Sequence, residues 1–127
     1  MNTVKIPNGH QAVMPYLILN GAGKFSEFVT GVLNGKITSI QKFENEDLIM
    51  HSEVEISGSS IMFCDSSEKW SANPANLFVY VNNADDIYKL ALEKGGTSVM
   101  EPADQDYGRS CGIADPCGNV WWITSVL

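Results

Sequence analysis

The chain has 127 residues, 44% of them hydrophobic, which is typical of one domain with one core, so we expect a single domain over residues 1–127. Its formal net charge of −7 argues against nucleic acid as a partner, because phosphate binding needs a basic surface. No stretch approaches the roughly 20 apolar residues of a membrane span, so we expect a cytoplasmic protein without a membrane partner.

The first half of the chain predicts a strand, a helix and three further strands. Residues 1–11 are polar and predict an arm that leads into the first strand at residues 13–19. Apolar residues at helical spacing then predict an amphipathic helix over residues 22–33, which ends at Asn34-Gly35. The three strands that follow are predicted at residues 37–43, 48–56 and 59–65, and a polar loop after them closes the half.

The second half predicts the same order of elements. A strand at residues 77–81 precedes a helix at residues 83–94, and the remaining strands are predicted at residues 98–100, 108–114 and 119–126. The pattern from Leu17 to Phe28 falls on the pattern from Val79 to Leu90 with an offset of 62. Gly58-x-x-Ile61-Met62-Phe63 falls on Gly118-x-x-Trp121-Trp122-Ile123 with an offset of 60. We therefore predict an internal duplication of a βαβββ module, with module one at about residues 12–66 and module two at about residues 76–126.

The stretch from Asp115 to Thr124 predicts a turn followed by a strand. Asp115-Pro116 favours turn initiation, and Gly118 supplies a position where a positive φ costs little. Trp121 and Trp122 must point to opposite faces of the strand. We expect Trp121 to pack beneath the helices and Trp122 to lie on the other face, which a ligand or a partner would cover.

These motifs resemble the vicinal oxygen chelate superfamily of glyoxalase I, bleomycin-resistance proteins and extradiol dioxygenases, and within it the PhnB-like, glyoxalase-related branch. The resemblance is carried by three blocks, which are Pro15-Tyr16-Leu17, His51-Ser52-Glu53-Val54 with Gly58-Ser59-Ser60-Ile61-Met62, and Tyr107-Gly108-Arg109-Ser110-x-Gly112 with Asp115-Pro116-x-Gly118-Asn119-x-Trp121-Trp122. It implies an α+β fold in which two βαβββ modules form a curved mixed sheet with a cleft, the helices lie on the outer face, and a homodimer completes the cleft.

The resemblance also implies four positions for metal ligands, and none of them holds a usual ligand here. The histidine position of the first strand falls within Val13 to Tyr16, and its counterpart in the second module falls on Asn76. The two glutamate positions fall on Met62 and Trp122. Divalent ions prefer carboxylate or imidazole ligands, so we expect no metal and no other cofactor.

An apolar cleft is expected in place of the metal. We expect Tyr16, Met62, Phe78, Tyr80 and Trp122 to line it and to bind a small aromatic or amphipathic molecule. Arg109 could pair with a ligand carboxylate or phosphate, or form an ion pair with Asp106 or Asp115. Tyr107 and Trp70, on predicted loops, could form a lid or simply plug the surface.

His51 and Glu53 share one face of their predicted strand and are the remaining catalytic candidates. They could act as an acid–base pair or hold a relocated metal. The alternative is a polar strand face that meets solvent or a partner subunit. His10 could join them from the arm. Two functions from different classes follow, which are metal-free small-molecule binding and a lyase, isomerase or dioxygenase-type enzyme that uses His51 and Glu53.

The three cysteines, Cys64, Cys111 and Cys117, form no C-x-x-C pair. Their odd number favours reduced thiols over a disulfide framework. Because the sequence places no base or cation beside Cys117, we expect structural rather than nucleophilic cysteines.

Overall fold

A computed structural model describes residues 3–127 of the chain. It contains eight strands and two helices within that range. In chain order they are β1 (Tyr16–Leu19), α1 (Ala22–Val32), β2 (Lys36–Lys42), β3 (Ile49–Ile56), β4 (Ser59–Asp65), β5 (Asn76–Tyr80), α2 (Ala84–Glu93), β6 (Thr97–Gln105), β7 (Gly108–Ala114) and β8 (Val120–Ser125). The predicted α+β class and the order βαβββ, repeated once, are both confirmed.

The strands form two four-stranded sheets with the same topology. The first sheet has the order β1-β4-β3-β2 and the second has the order β5-β8-β7-β6. In each sheet the first strand runs parallel to the last strand of its module, and the other neighbours are antiparallel. Each helix packs against the strands of its own module, so each sheet has one face covered by a helix and one open face.

Two strands differ from their predicted bounds by more than one residue at an end. β1 begins at Tyr16 rather than at residue 13, because Pro15 has no N–H to donate, although its carbonyl still accepts from the Met62 N–H at 2.9 Å. β6 extends to Gln105, well beyond the three residues predicted. It includes Pro102, which an edge strand tolerates where its register is irregular, and the pairing shifts between Met100 and Ala103.

Equivalent contacts in the two modules support the duplication. The first helical N–H of α1, on Ala22, donates to Asp65 at the end of β4, and that of α2, on Ala84, donates to Ser125 at the end of β8. Gly58 and Gly118 both adopt positive φ, at 87° and 89°, in the turns before β4 and β8. Each module thus ties its last strand to the start of its helix.

A second pair of equivalent contacts follows the helices. The Gly35 N–H donates to the Val29 carbonyl at 2.9 Å, and the Gly96 N–H donates to the Ala91 carbonyl at 2.8 Å. A Cβ at either glycine would lie within 3 Å of that carbonyl oxygen. Both chain reversals therefore require glycine for close approach to the helix.

Trp121 lies in the core between the modules, as predicted for the helix-covered face. It is 1% exposed, and its ring stacks on that of Phe25 of α1 with centroids 6.3 Å apart. The Cys117 thiol donates to the Gly21 carbonyl at 3.2 Å, which adds a second contact between the modules.

Among residues 3–127 no helix is both long and apolar enough to cross a membrane.

Asp115 holds the turn before β8. Its Oδ1 accepts from the backbone N–H groups of Cys117 and Asn119, at 2.9 and 3.1 Å. Its Oδ2 accepts from the Asn119 side chain and the Trp121 indole, both at 2.9 Å. This buried carboxylate therefore fixes the turn and the core tryptophan together.

Candidate functional site

The open face of the second sheet presents aromatic side chains. Phe78 of β5 lies opposite Trp122 of β8, which in turn lies opposite Gly112 of β7. A Cβ at Gly112 would come within 2.7 Å of Trp122 Cζ3. The missing side chain at Gly112 thus leaves room for the Trp122 indole to lie on the sheet, on the open face where the sequence predicted it.

An aromatic cluster, defined as Phe78, Tyr80 and Tyr107, continues this face. The Phe78 ring lies 5.2 Å from that of Tyr80 in an edge-on arrangement, and 6.0 Å from that of Tyr107, between centroids. The three side chains are 51%, 59% and 56% exposed, respectively. Phe78 thus contacts both tyrosine rings, and all three rings are more than half exposed.

A cavity of about 370 Å³ lies beside the aromatic cluster. Phe78 and Tyr80 line one side, the β3–β4 turn lines another, and residues of the N-terminal arm complete it. Tyr16, Met62 and Trp122 are not among its lining residues, so the predicted lining is brought together only in part. The reason is that Tyr16 and Met62 pair on the open face of the first sheet, while Trp122 lies over Gly112.

The open face of the first sheet is polar and carries the His51–Glu53 pair. His51 Nε2 lies 3.0 Å from Glu53 Oε2, and His10 Nε2 lies 2.6 Å from Glu53 Oε1. The hydrogen bonds from His51 and then from His10 hold the pKa of the Glu53 carboxyl below its ordinary value. The predicted shared face is confirmed, and His10 does join the pair from the arm.

Tyr16 extends this polar group toward Met62 and Cys64. Its hydroxyl lies 3.3 Å from His51 Nδ1, and its ring centroid lies 5.7 Å from that of His51. Burial, followed by the nearby Cys64 thiol, raises the pKa of the Tyr16 phenol. The phenol therefore stays protonated at neutral pH and can donate to His51.

Arg109 does not reach the open face, which corrects the expectation that it contacts a ligand there. Alternation along β7 places it on the side opposite Gly112, toward α2. Its guanidinium donates to both carboxylate oxygens of Asp85 on α2, at 3.0 and 3.1 Å, and to Asp104 at 3.3 Å. Arg109 therefore forms an ion pair, which was the alternative prediction. Its partners are Asp85 and Asp104, however, and not Asp106 or Asp115.

The residues at the four superfamily metal positions do not fit a divalent ion. Tyr16 lies opposite Met62, which offers a phenol and a thioether. The Asn76 amide oxygen accepts from the Trp122 indole N–H at 3.1 Å. Within residues 3–127 no group of three His, Cys, Asp or Glu side chains is placed to hold a metal ion. At Glu53 each carboxylate oxygen already contacts an imidazole, so the three polar side chains hydrogen-bond in a row.

The cysteines have the character of structural residues. All three lie among the described residues and are unpaired. Burial raises the pKa of Cys111 to about 11 and that of Cys117 to about 11, and it also raises the pKa of Cys64. Thiols with such raised pKa values are poor nucleophiles at neutral pH.

The chain is thus a duplicated βαβββ protein whose two sheets differ in their open faces, one polar and one aromatic, with a cavity of about 370 Å³ beside β5. Residues 12–123 match the Glyoxalase/Bleomycin resistance protein/Dioxygenase superfamily. Because this match covers most of the chain, the protein belongs to that superfamily. No curated protein matches the chain.

Several solved structures share the fold at low sequence identity. TioX from Micromonospora sp. ML1 is similar with a TM-score of 0.72 and 16% identity, covering 92% of this chain and 97% of that one. A PhnB protein from Bacillus cereus has a TM-score of 0.71 and 19% identity, covering 91% and 100%. TnmS3, an antibiotic binding protein from Streptomyces sp. CB03234, has a TM-score of 0.70 and 17% identity, covering 93% and 100%. At these identities the likeness concerns the fold.

Proposed function

We propose that the chain binds a small aromatic or amphipathic molecule at the aromatic cluster and its cavity, without the metal of the superfamily. The observation that carries this proposal is the exposure of three contacting aromatic rings, Phe78, Tyr80 and Tyr107, each more than half exposed. Covering them with a flat apolar ligand would remove that surface from water. The cavity of about 370 Å³ beside them is within the size range of small-molecule sites.

The similarity to TnmS3 supports the choice of ligand class to test first. TnmS3 is an antibiotic binding protein that shares this fold. Aromatic antibiotics are therefore a suitable first panel, alongside the neutral fluorescent probe N-phenyl-1-naphthylamine.

The binding test compares Phe78→Ala with Leu92→Ala in titrations of N-phenyl-1-naphthylamine. Leu92 of α2 is also a partly exposed apolar side chain but does not line the cavity, so it serves as the control. Loss of one buried ring contact of about 2 kcal/mol would weaken binding about thirtyfold in Phe78→Ala. Equal Kd values for the two variants would refute the site.

The metal-free part of the proposal has its own measurement. The donor atoms at Tyr16, Met62, Asn76 and Trp122 support it, since none is a carboxylate or an imidazole. Metal analysis of the purified and dialysed chain is expected to find far less than one divalent ion per chain. A near-stoichiometric ion that survives dialysis would contradict it.

A second candidate is a lyase, isomerase or dioxygenase-type enzyme that uses His51 and Glu53. It is favoured by the row of hydrogen bonds from Tyr16 through His51 to Glu53, in which an imidazole lies between a hydroxyl and a carboxylate. Mass spectrometry of ligands recovered after prolonged incubation separates the two candidates. Conversion that disappears in His51→Ala would favour the enzyme, and unchanged ligand would favour binding alone.

We also propose that the protein is a cytoplasmic homodimer. Reduced cysteines suit the cytoplasm, and exposed apolar side chains near the β2–β3 hairpin, which are Ile40, Phe43, Leu48 and Met50, suit a contact between copies. Equilibrium sedimentation tests the dimer, and a mass equal to the single-chain 13.9 kDa at micromolar concentration would exclude it.

A further inference from the structure

The end of the predicted N-terminal arm and the two residues after it, residues 9–13, are called the arm below. They contact the first sheet at three consecutive residues. The Gly9 carbonyl accepts from the Ser60 hydroxyl. His10 Nε2 lies 2.6 Å from Glu53 Oε1 on β3. The Gln11 side-chain amide donates to the Ser60 carbonyl at 2.7 Å and accepts from the Ser60 N–H at 3.2 Å. These contacts lie 43 to 51 residues apart in the chain, so the arm has a defined tertiary position.

The same arm forms part of the cavity beside the aromatic cluster. Gln11 and Val13 line that cavity together with Phe78 and Tyr80 of the second module. Val13 is 81% exposed, so its side chain has free surface to contribute. His10, in contrast, fastens the arm but is not a lining residue. One segment therefore joins the polar face of the first module to the aromatic site of the second.

From this placement we infer that the arm is a wall of the ligand site, and that its docking through His10–Glu53 and Gln11–Ser60 is coupled to ligand binding. The inference rests on the proposed binding function and adds to it a means of control. A ligand that touches Gln11 or Val13 binds more tightly when the arm is docked. By thermodynamic reciprocity, the bound ligand must then stabilise the docked arm by the same factor.

The coupling predicts that His10 affects ligand affinity although it does not line the cavity. In His10→Ala the arm loses its contact with Glu53, although no residue of the cavity lining is changed. Loss of the apolar contact that the docked arm supplies would weaken binding of N-phenyl-1-naphthylamine about fivefold. The probe carries no charge, so the loss of a histidine has little direct electrostatic effect on it. Lys5→Ala, an exposed substitution outside the docked segment, is the control and should leave Kd unchanged.

Glu53→Gln tests the other side of the same contact. If both residues act through arm docking, the double variant His10→Ala/Glu53→Gln should bind no more weakly than either single variant. Additive losses would overturn the inference, because they would mean that the two side chains act separately.

Hydrogen exchange measures the reciprocal effect. The Ser60 N–H donates to the Gln11 side chain, so it reports on arm docking. Saturating N-phenyl-1-naphthylamine should slow exchange at Ser60 in the wild-type chain about fivefold, by the same coupling factor, and much less in His10→Ala. Unchanged exchange at Ser60 would overturn the inference.

The outcomes separate failure of the inference from failure of the proposed function. If Phe78→Ala weakens binding and His10→Ala does not, the aromatic site stands and the coupled arm is wrong. If His10→Ala binds more tightly, the arm obstructs the site, and the inference is also wrong. If Phe78→Ala has no effect, the proposed function itself fails. Circular dichroism of each variant confirms that the fold is retained before any Kd is compared.

Discussion

Replacing Asp115 with Asn tests how strongly one buried carboxylate holds the turn before β8. Oδ1 and Oδ2 of Asp115 each accept two hydrogen bonds, and the side chain is buried. Asn has nearly the same shape but only one acceptor oxygen. Whichever way the amide is turned, its NH₂ group faces two donors, either the two backbone N–H groups or the pair from Asn119 and Trp121.

The magnitude follows from those two orphaned donors. A buried donor left without a partner costs about 1–3 kcal/mol, so Asp115→Asn should lower the free energy of unfolding by about 2–6 kcal/mol. With an m-value of about 2 kcal/mol per molar urea, the unfolding midpoint should fall by about 1–3 M. Urea titration followed by tryptophan fluorescence and by circular dichroism gives this midpoint directly.

Asp106→Asn is the matched control, since it makes the same chemical change on the exposed β6–β7 turn. Surface substitutions of this kind usually change stability by less than about 0.5 kcal/mol. If Asp115→Asn shifted the unfolding midpoint no more than Asp106→Asn, the claim that the hydrogen bonds to Asp115 stabilise the turn before β8 would be refuted.

Three further predictions concern other parts of the molecule. Gly96→Ala should destabilise the chain by about 1–3 kcal/mol, because its Cβ would lie 2.8 Å from both the Ala91 carbonyl oxygen and Ile113 Cγ2. Glu53, whose pKa is lowered by His51 and His10, contributes stability that is present above the unfolded value of about 4.3 and is lost as pH falls through the folded value. The stability difference between wild type and Glu53→Gln should therefore be present above about pH 4.3 and shrink as the pH is lowered further. Cys111 and Cys117, with pKa values of about 11, should react slowly with a thiol reagent at about pH 8, where only about 0.1% would be thiolate.

Each of these three predictions can be measured, and each could be contradicted by the result. Urea unfolding compares Gly96→Ala with Gly31→Ala, an exposed helical position with no atom within 4 Å of the new Cβ, where a gain of about 0.5 kcal/mol is expected. Equal destabilisation of the two would contradict the close-approach argument. A stability difference at Glu53 that grew on acidification would reverse the assigned sign. Native thiols that reacted as fast as those of the denaturant-unfolded chain would contradict the raised pKa values.

The order of the elements was predictable because local patterns carry it. Strand alternation placed Trp121 in the core and Trp122 on the open face, and helical spacing located both helices. Where prolines fall near strand ends, the pattern was less informative. Pro15 delayed the start of β1 to Tyr16, while Pro102 did not end β6, because an edge strand with an irregular register tolerates it.

The site was predictable only in part, because tertiary placement is not local. Strand alternation placed Phe78 and Tyr80 on one face. The same rule could have predicted the position of Arg109, because it lies three residues from Gly112 on β7 and therefore on the helix-covered face. The arm gave no such signal. Gln11 is one polar residue in a polar segment, and only the path of the chain brings it to Ser60, 49 residues away.

The free edges of the two sheets bear on the behaviour of the protein in concentrated solution. β2 and β6 are outer strands, and both pair irregularly with their neighbours. Their N–H and C=O groups are therefore unevenly spaced, and Pro102 removes one donor from β6, so both strands are poor templates for an added strand. Growth of fibrils from the folded state by strand addition is accordingly disfavoured at the β2 and β6 edges.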